Sequence, residues 1–184
     1  MKQRRLKYLL FVNLFSLVGY YTFTPLYALY AHSFGLDAKT ISLIWGGYSL
    51  LIALFILIMG KIENKRKKGR MIVVGYCIYG LGALAFLLVH SEKSLIIVLA
   101  LNALGAGVTL PAYKTMFAKS ESKGKESEQW SWLDSGNMFA AALGAGIGGL
   151  IIGFDGFRGL FITMATIQIL AAFVAYKAFY FKNQ

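Results

Sequence analysis

Positive charge and apolar residues alternate along this chain in a way that few folds allow. Six apolar runs, each close to the ~20 residues that a membrane-spanning helix needs, are separated by short polar connections. Of the 19 Lys and Arg residues, all but Lys39, Lys93 and Arg158 lie at the two ends of the chain, in residues 61–70 or in residues 114–129. Because cytoplasmic connections are enriched in basic residues, both termini are predicted to be cytoplasmic.

The composition supports a membrane protein of a single domain. Apolar residues make up 58% of the chain and charged residues 15%, against about 25% charged in a soluble domain. The net charge of +11 is clustered beside the apolar runs, where it meets lipid head groups, so the bilayer rather than nucleic acid is the expected partner. We predict one all-α domain, 1–184, in the cytoplasmic (inner) membrane, with six spans at 8–31, 40–60, 71–90, 95–117, 130–153 and 159–181.

Few residues of this chain have the chemistry of an enzyme or of a metal site. Cys77 is the only cysteine, so no disulfide forms within the chain, and His32 and His90 stand at the ends of apolar runs. A hydrolase would need a nucleophile with its base, or metal ligands, within the membrane. We therefore expect no catalytic residue, no metal and no cofactor.

Polar residues within the spans recur at helical spacing. At 100° per residue, each of two sets falls on one stripe of its helix. Such groups avoid hydrocarbon, so they either form hydrogen bonds between helices or line a shared polar cavity. The cavity interpretation makes them a substrate pathway, with an aromatic wall from the second span; its residues are Asn13, Ser16, Tyr20, Thr24, Tyr27, Trp45, Tyr48, Asn102, Thr109 and Tyr113.

The fifth span carries two further signals. Gly144 and Gly148 form a GxxxG pair, which lets two helix backbones approach closely. Asp134 is the only carboxylate within a predicted span. If it lies near the start of its helix, the helix dipole favours its negative charge; the alternative is a role in proton coupling.

The connection between the second and third spans resembles a motif of the major facilitator superfamily of secondary transporters. The family pattern is G-x-x-x-D-[RK]-x-G-x-[RK]-[RK], and Gly60, Lys65 and Arg70 match it, whereas Asn64 replaces the acidic residue. The fourth span resembles the glycine-then-proline fourth helix of that family, at residues 105–107 and 111–113. Residues 144–149 resemble the G-P-x-x-G-G motif of its proton-driven exporters, with alanine in place of proline.

The resemblance implies the fold of one six-helix half of such a transporter and a function in transport. In that family the first and fourth helices line a cavity between two halves, where substrate binds. We expect a half-size transporter that works as a homodimer by alternating access and exports a small amphiphilic or moderately polar solute. The alternatives are pairing with another half-transporter, a non-transporting membrane subunit, or the N-terminal part of a 12-helix transporter.

The homodimer hypothesis predicts a specific contact between subunits. In full-length relatives the acid of the loop motif lies near the start of the eleventh helix, whose place a partner's fifth span would take. Asp134 of one subunit would then face the basic loop around Lys65 and Arg70 of the other. Two-fold symmetry would form this contact twice, and the Gly144/Gly148 surface was expected to add close helix packing.

Overall fold

The computed structural model describes residues 2–63 and 67–181, and within these ranges the chain contains no β-strand. The main elements are α1 (Lys2–Tyr21), α2 (Tyr27–His32), α3 (Ala38–Glu63), α4 (Lys68–Ala85), α5 (Glu92–Ser120) and α6 (Glu126–Tyr176). Short 3-10 turns cover Thr24–Leu26 and Phe86–Leu88, and a π-helical turn covers Lys177–Phe181. Five helical stretches are long and apolar enough to cross a membrane, which confirms the all-α membrane class.

The first span, predicted over 8–31, lies within one apolar helical stretch, Arg5–His32, whose helix is interrupted near its end. Helix α1 ends at Tyr21, and a 3-10 turn that contains Pro25 leads into α2. Proline has no N–H and its ring clashes with the carbonyl four residues earlier, so the α-helix cannot continue through Pro25. At the break, the Tyr20 carbonyl accepts from the hydroxyl of Thr24 at 2.9 Å and from the backbone N–H of Phe23 at 3.4 Å.

The last helix, α6, contains a reversal of the chain. Its 51 residues would extend about 77 Å as a straight helix, more than twice the ~30 Å hydrocarbon core. Gly156 interrupts it, with φ +63° and ψ −162°, a conformation that is essentially restricted to glycine. We call residues 126–155 α6N and residues 157–176 α6C. The connection predicted over residues 154–158 is thus reduced to one non-helical residue.

Helix α1 runs parallel to α6N. Near the middle of α1, the Asn13 amide nitrogen donates to the Asn137 side-chain oxygen at 2.8 Å. At the far end of α1, the Thr22 carbonyl lies against Gly148. Residue numbers therefore rise together along the two helices, as expected for two spans that cross a bundle in the same direction.

Helix α1 runs antiparallel to α6C. The Ser16 hydroxyl donates to the Gln168 side-chain oxygen at 2.8 Å, and the Gln168 amide donates to the Ser16 carbonyl at 2.9 Å. Seven residues later, the rings of Phe23 and Phe161 pack with centroids 5.2 Å apart. Since α6N and α6C pack on the same helix in opposite directions, the chain reverses at Gly156.

The core is divided into two clusters at opposite ends of the bundle. The first surrounds Tyr30, whose hydroxyl donates to the Phe86 carbonyl at 2.8 Å and whose ring lies 4.8 Å from that of Phe157. The connections near Gly35 and Ser91 and the reversal at Gly156 meet here, at what we call the loop end. The second cluster, at what we call the terminal end, brings together the first turns of α1, the start of α4, the end of α5 and both ends of α6; it includes Leu6, Leu9, Met71, Met116, Phe117, Leu133 and Ala175.

Candidate functional site

Two glycines of α4 form holes for two polar side chains of α5. A Cβ atom placed on Gly82 would lie 2.5 Å from Nδ2 of Asn102, and one placed on Gly75 would collide with the Thr109 hydroxyl. The two glycines are seven residues apart on α4, and Asn102 and Thr109 are seven residues apart on α5. The antiparallel helices therefore repeat the same contact after two turns. Asn102 and Thr109 are therefore buried in a closely packed seam between α4 and α5.

This seam corrects the prediction that the polar stripes of the first and fourth spans face each other. Asn102 donates to the Val98 carbonyl at 2.9 Å and Thr109 to the Gly105 carbonyl at 2.8 Å, so each side chain bonds within its own helix. Asn13 bonds instead to Asn137 of α6N. The glycines of α4 decide the direction of the α5 stripe, because only they leave room for polar side chains at the contact.

The α1 stripe also reaches α6C, through a buried pair that the sequence analysis did not identify. Gln168 is 0% exposed and Ser16 is 5% exposed, and the two residues form the reciprocal hydrogen bonds described above. Burying a polar group without a hydrogen bond costs free energy in a low-dielectric interior. The reciprocal bonds between Ser16 and Gln168 avoid that cost. The signal was present: Gln168 is the amide within the last apolar run.

Five tyrosines bring α1, α3, α4 and α5 together in the interior. The phenol groups of Tyr20 on α1 and Tyr48 on α3 lie close enough to interact. Tyr79 of α4 lies close enough to Tyr20 to interact electrostatically, and its ring packs over Gly105 of α5. Together with two deeper neighbours they form what we call the tyrosine cluster: Tyr20, Tyr48, Tyr76, Tyr79 and Tyr113.

The two deepest members of the cluster have unused hydrogen-bonding capacity. Tyr76 is 2% exposed and Tyr113 is 4% exposed, and neither hydroxyl has a hydrogen-bond partner in the described part of the chain. Tyr76 lies near Ser16, whose hydroxyl hydrogen is already donated to Gln168. Buried polar groups without partners are unusual, and each one calls for an explanation such as a functional role. A phenol can donate one hydrogen bond and accept others without carrying a charge.

An aromatic chain connects the tyrosine cluster to the loop end. The rings of Trp45 and Tyr48 have centroids 5.2 Å apart, and those of Trp45 and Tyr27 have centroids 4.6 Å apart. The buried Tyr27 hydroxyl also lacks a partner among the described residues. Tyr27, Trp45 and Tyr48 therefore form a continuous row of rings, and the role of Trp45 and Tyr48 as the wall of a cavity stays a prediction.

The predicted motif loop is only partly within the described residues. Asn64 and Lys65 lie outside them. Gly60 is on α3, and no atom lies within 4 Å of a Cβ placed there. Arg70 is exposed in the first turn of α4.

The expected position of Asp134 at a helix start is wrong. Helix α6 begins at Glu126, so Asp134 lies more than two turns inside it and is exposed. The helix dipole acts mainly within the first turn, where Glu126 and Glu128 stand instead. The apolar run predicted over 130–153 begins later than the helix, because the polar residues from Glu126 onwards are already helical.

Gly144 and Gly148 pack within the chain, on the end of α1. A Cβ placed on Gly144 would lie 2.7 Å from both Tyr21 Cβ and the Val18 carbonyl, and one on Gly148 would meet the Thr22 carbonyl. The close helix packing expected of this pair is therefore present. The expectation that the same surface supports a dimer is wrong, because α1 already occupies it.

The histidines contact backbone atoms near the loop end. Nδ1 of His32 lies 3.1 Å from the Leu36 carbonyl, and Nδ1 of His90 lies 2.8 Å from the Leu88 carbonyl. In the residues that the structure describes, no group of three or more His, Cys, Asp or Glu side chains is placed to hold a metal ion.

Comparison with known proteins decides the family. The family model described as Major Facilitator Superfamily matches residues 9–183. The chain belongs to the major facilitator superfamily. Members of this family are membrane transporters, so the chain is a multi-pass membrane protein of a transporter family and not an enzyme.

Two curated relatives agree with this assignment. The chain is 26% identical over 140 residues to an uncharacterized MFS-type transporter, YfiU, of Bacillus subtilis (strain 168); the match covers 73% of this chain and 27% of YfiU. It is 24% identical over 161 residues to the uncharacterized MFS-type transporter MJ1560 of Methanocaldococcus jannaschii, with 88% of this chain and 42% of MJ1560 covered. The chain thus spans less than half the length of each of these relatives.

Proposed function

We propose that the chain forms one six-helix half of a secondary transporter in the cytoplasmic membrane. In this arrangement α1 with α2, then α3, α4, α5, α6N and α6C cross the bilayer in turn, and both termini are cytoplasmic. Two observations support it: α6N and α6C pack on α1 in opposite directions, and 16 of the 19 basic residues lie along the sequence at the two ends of the chain, in residues 61–70 or in residues 114–129. Membrane proteins place such charge on the cytoplasmic side.

The substrate is a small amphiphilic or moderately polar solute that binds at the tyrosine cluster, and the chain exports it by alternating access. The observation that carries this proposal is the pair of buried, unpartnered hydroxyls on Tyr76 and Tyr113. The cluster offers phenol groups and aromatic faces but no fixed charge. An ion would lose its hydration there without gaining a counter-charge, which favours an uncharged or weakly polar substrate.

Removal of single hydroxyl groups tests the substrate site. Tyr113→Phe deletes a hydroxyl that makes no hydrogen bond, so a purely structural role predicts unchanged or slightly higher stability. A binding role predicts a clear loss of solute flux in proteoliposomes at unchanged stability. The solutes to be tested are those that raise the unfolding temperature of the purified chain in a screen of neutral and zwitterionic compounds.

Tyr30→Phe is the matched control. It also deletes one buried phenol hydroxyl, but this hydroxyl donates to the Phe86 carbonyl, so the variant should lose about 1 kcal/mol or more of stability. Its flux per folded molecule should stay near that of the unmodified chain. If Tyr113→Phe transports normally, or if both variants lose flux equally, the tyrosine cluster is not the substrate site.

Transport by this chain needs a second six-helix unit, for which we propose a second copy. The exposed Asp134 on α6N is available to face the basic α3–α4 connection of a partner. Cysteines introduced at Asn64 and Ser131, in a Cys77→Ala background, should then form a disulfide between two chains. Each single-cysteine variant is the control for random collision in the membrane.

Absence of the crosslink, together with a monomer by mass photometry in mild detergent, would contradict the homodimer. In that case a different half-transporter, or further helices like those of the longer relatives, would complete the cavity. A crosslinked dimer without flux of any stabilising solute would favour the alternative of a non-transporting membrane subunit.

A further inference from the structure

A crevice that shares Tyr48 with the tyrosine cluster opens between α3 and α5 on the surface of the bundle. Its volume is about 500 Å³, within the range of pockets that hold small ligands. On α3 it extends from Thr40 to Leu51, about 16 Å at the helical rise per residue. That length is close to half the thickness of a hydrocarbon core, so the crevice reaches from the loop end to about mid-depth.

Polar groups are concentrated at one end of the crevice. Glu92 and Thr40 line it at the loop end, where α5 and α3 begin. Towards mid-depth the lining consists of aliphatic side chains and the ring of Tyr48. The crevice therefore has a charged mouth and an apolar interior, which matches the two ends of an amphiphile.

Glycine keeps the crevice open. No atom lies within 4 Å of a Cβ placed on Gly47, which lines the crevice. The same holds for Gly46, which is its neighbour on α3 but does not line the crevice. At the back, Tyr48 joins the crevice to Tyr20 and so to the tyrosine cluster.

The charge at the mouth selects the head group of the ligand. Glu92 stands in the first turn of α5, at the mouth of the crevice. In the described part of the chain, this carboxylate has no hydrogen bond or ion pair. A carboxylate at the edge of an apolar groove binds a cation that can donate hydrogen bonds, and an ammonium group provides three donors.

We propose that this crevice binds a single-chain amphiphile with an ammonium head group, with the ammonium at Glu92 and the chain along Ile44, Leu51 and Leu99. The site does not depend on transport, because binding requires only one chain. It differs from the tyrosine cluster in carrying a fixed negative charge, so its ligands are cationic rather than neutral.

Direct binding of dodecylamine, with dodecanol as the matched neutral probe, tests the site in nanodiscs made of phosphatidylcholine. Glu92→Gln should weaken dodecylamine binding about tenfold and leave dodecanol binding unchanged, because only the charge at the mouth is lost. Gly47→Leu should abolish binding of both probes by filling the crevice, whereas Gly46→Leu should leave both unchanged. Circular dichroism and monodispersity of the variants establish that each is folded.

Three results would overturn the proposal. The first is equal binding of dodecylamine by Glu92→Gln and the unmodified chain. The second is an equal effect of leucine at Gly46 and at Gly47, which would mean that bulk on α3, not the crevice, changes binding. The third is a phosphatidylethanolamine molecule that co-purifies from native membranes, is seen by native mass spectrometry, and is lost in Glu92→Gln; it would assign the crevice to a membrane lipid instead.

Discussion

Gly148 lies where α6N crosses the end of α1, and the substitution Gly148→Ala tests how closely these helices pack. The added methyl group would meet the Thr22 carbonyl, a backbone atom that cannot rotate away as a side chain does. The matched variant is Gly146→Ala, two residues earlier on the same helix, where no atom lies within 4 Å of the new Cβ.

The added methyl group is expected to affect stability in opposite directions at Gly146 and at Gly148. Alanine is favoured over glycine in a helix by about 1 kcal/mol, so Gly146→Ala should be neutral or stabilising by up to that amount. An extra methyl in a closely packed contact costs about 1–3 kcal/mol, which offsets or exceeds the gain at Gly148. We therefore expect Gly148→Ala to be less stable than Gly146→Ala by about 1–3 kcal/mol.

Thermal unfolding in mild detergent measures this difference. For a chain of this size, 1 kcal/mol corresponds to a shift of about 2–4 °C in the unfolding temperature. Gly148→Ala should thus unfold at least about 2 °C below Gly146→Ala. Equal unfolding temperatures, or a more stable Gly148→Ala, would refute the packing of α6N on α1 through this glycine.

Three further predictions concern the two ends of the bundle. In a cysteine-free background, cysteines at Ser91 and at the exposed Lys123 should react with an impermeant reagent from opposite sides of the membrane; reaction from the same side would contradict the topology. Gly156→Ala should lower the free energy of unfolding by about 1–3 kcal/mol because of its positive φ, whereas the helical Gly153→Ala should not; equal denaturant midpoints would argue against the reversal. Hydrogen bonds from the hydroxyl and backbone N–H of Thr40 hold the pKa of Asp37 below its ordinary value, so the stabilisation by this carboxylate is complete above the ordinary pKa and is lost as pH falls through the lowered pKa. Asp37→Asn should keep the helix cap and remove this part of the acid dependence of the unfolding temperature. An unchanged pH profile would contradict the capping role.

The apolar runs and the positions of the basic residues were sufficient to predict a helical membrane protein. A helix satisfies its own backbone hydrogen bonds, so about twenty apolar residues specify a span without reference to any neighbour. The motif residues around Gly60 and Pro111 were sufficient to predict the family. The break at Pro25 was less accessible, because the apolar run continues across it, whereas Gly156 lies within the connection predicted over residues 154–158.

Which helices meet, and on which faces, was decided by the tertiary structure. A polar stripe shows only that a helix face avoids lipid; Asn102 and Asn13 carry the same signal, yet one fits over Gly82 and the other bonds to Asn137. Two glycines on one helix become informative only when two larger side chains at the same spacing come to lie opposite them. The tyrosine cluster likewise draws on four helices, and its unpartnered hydroxyls depend on where every neighbouring donor and acceptor lies. The sequence by itself determined the span-forming segments, because their stability is local, whereas contacts between spans depend on shape complementarity among distant residues.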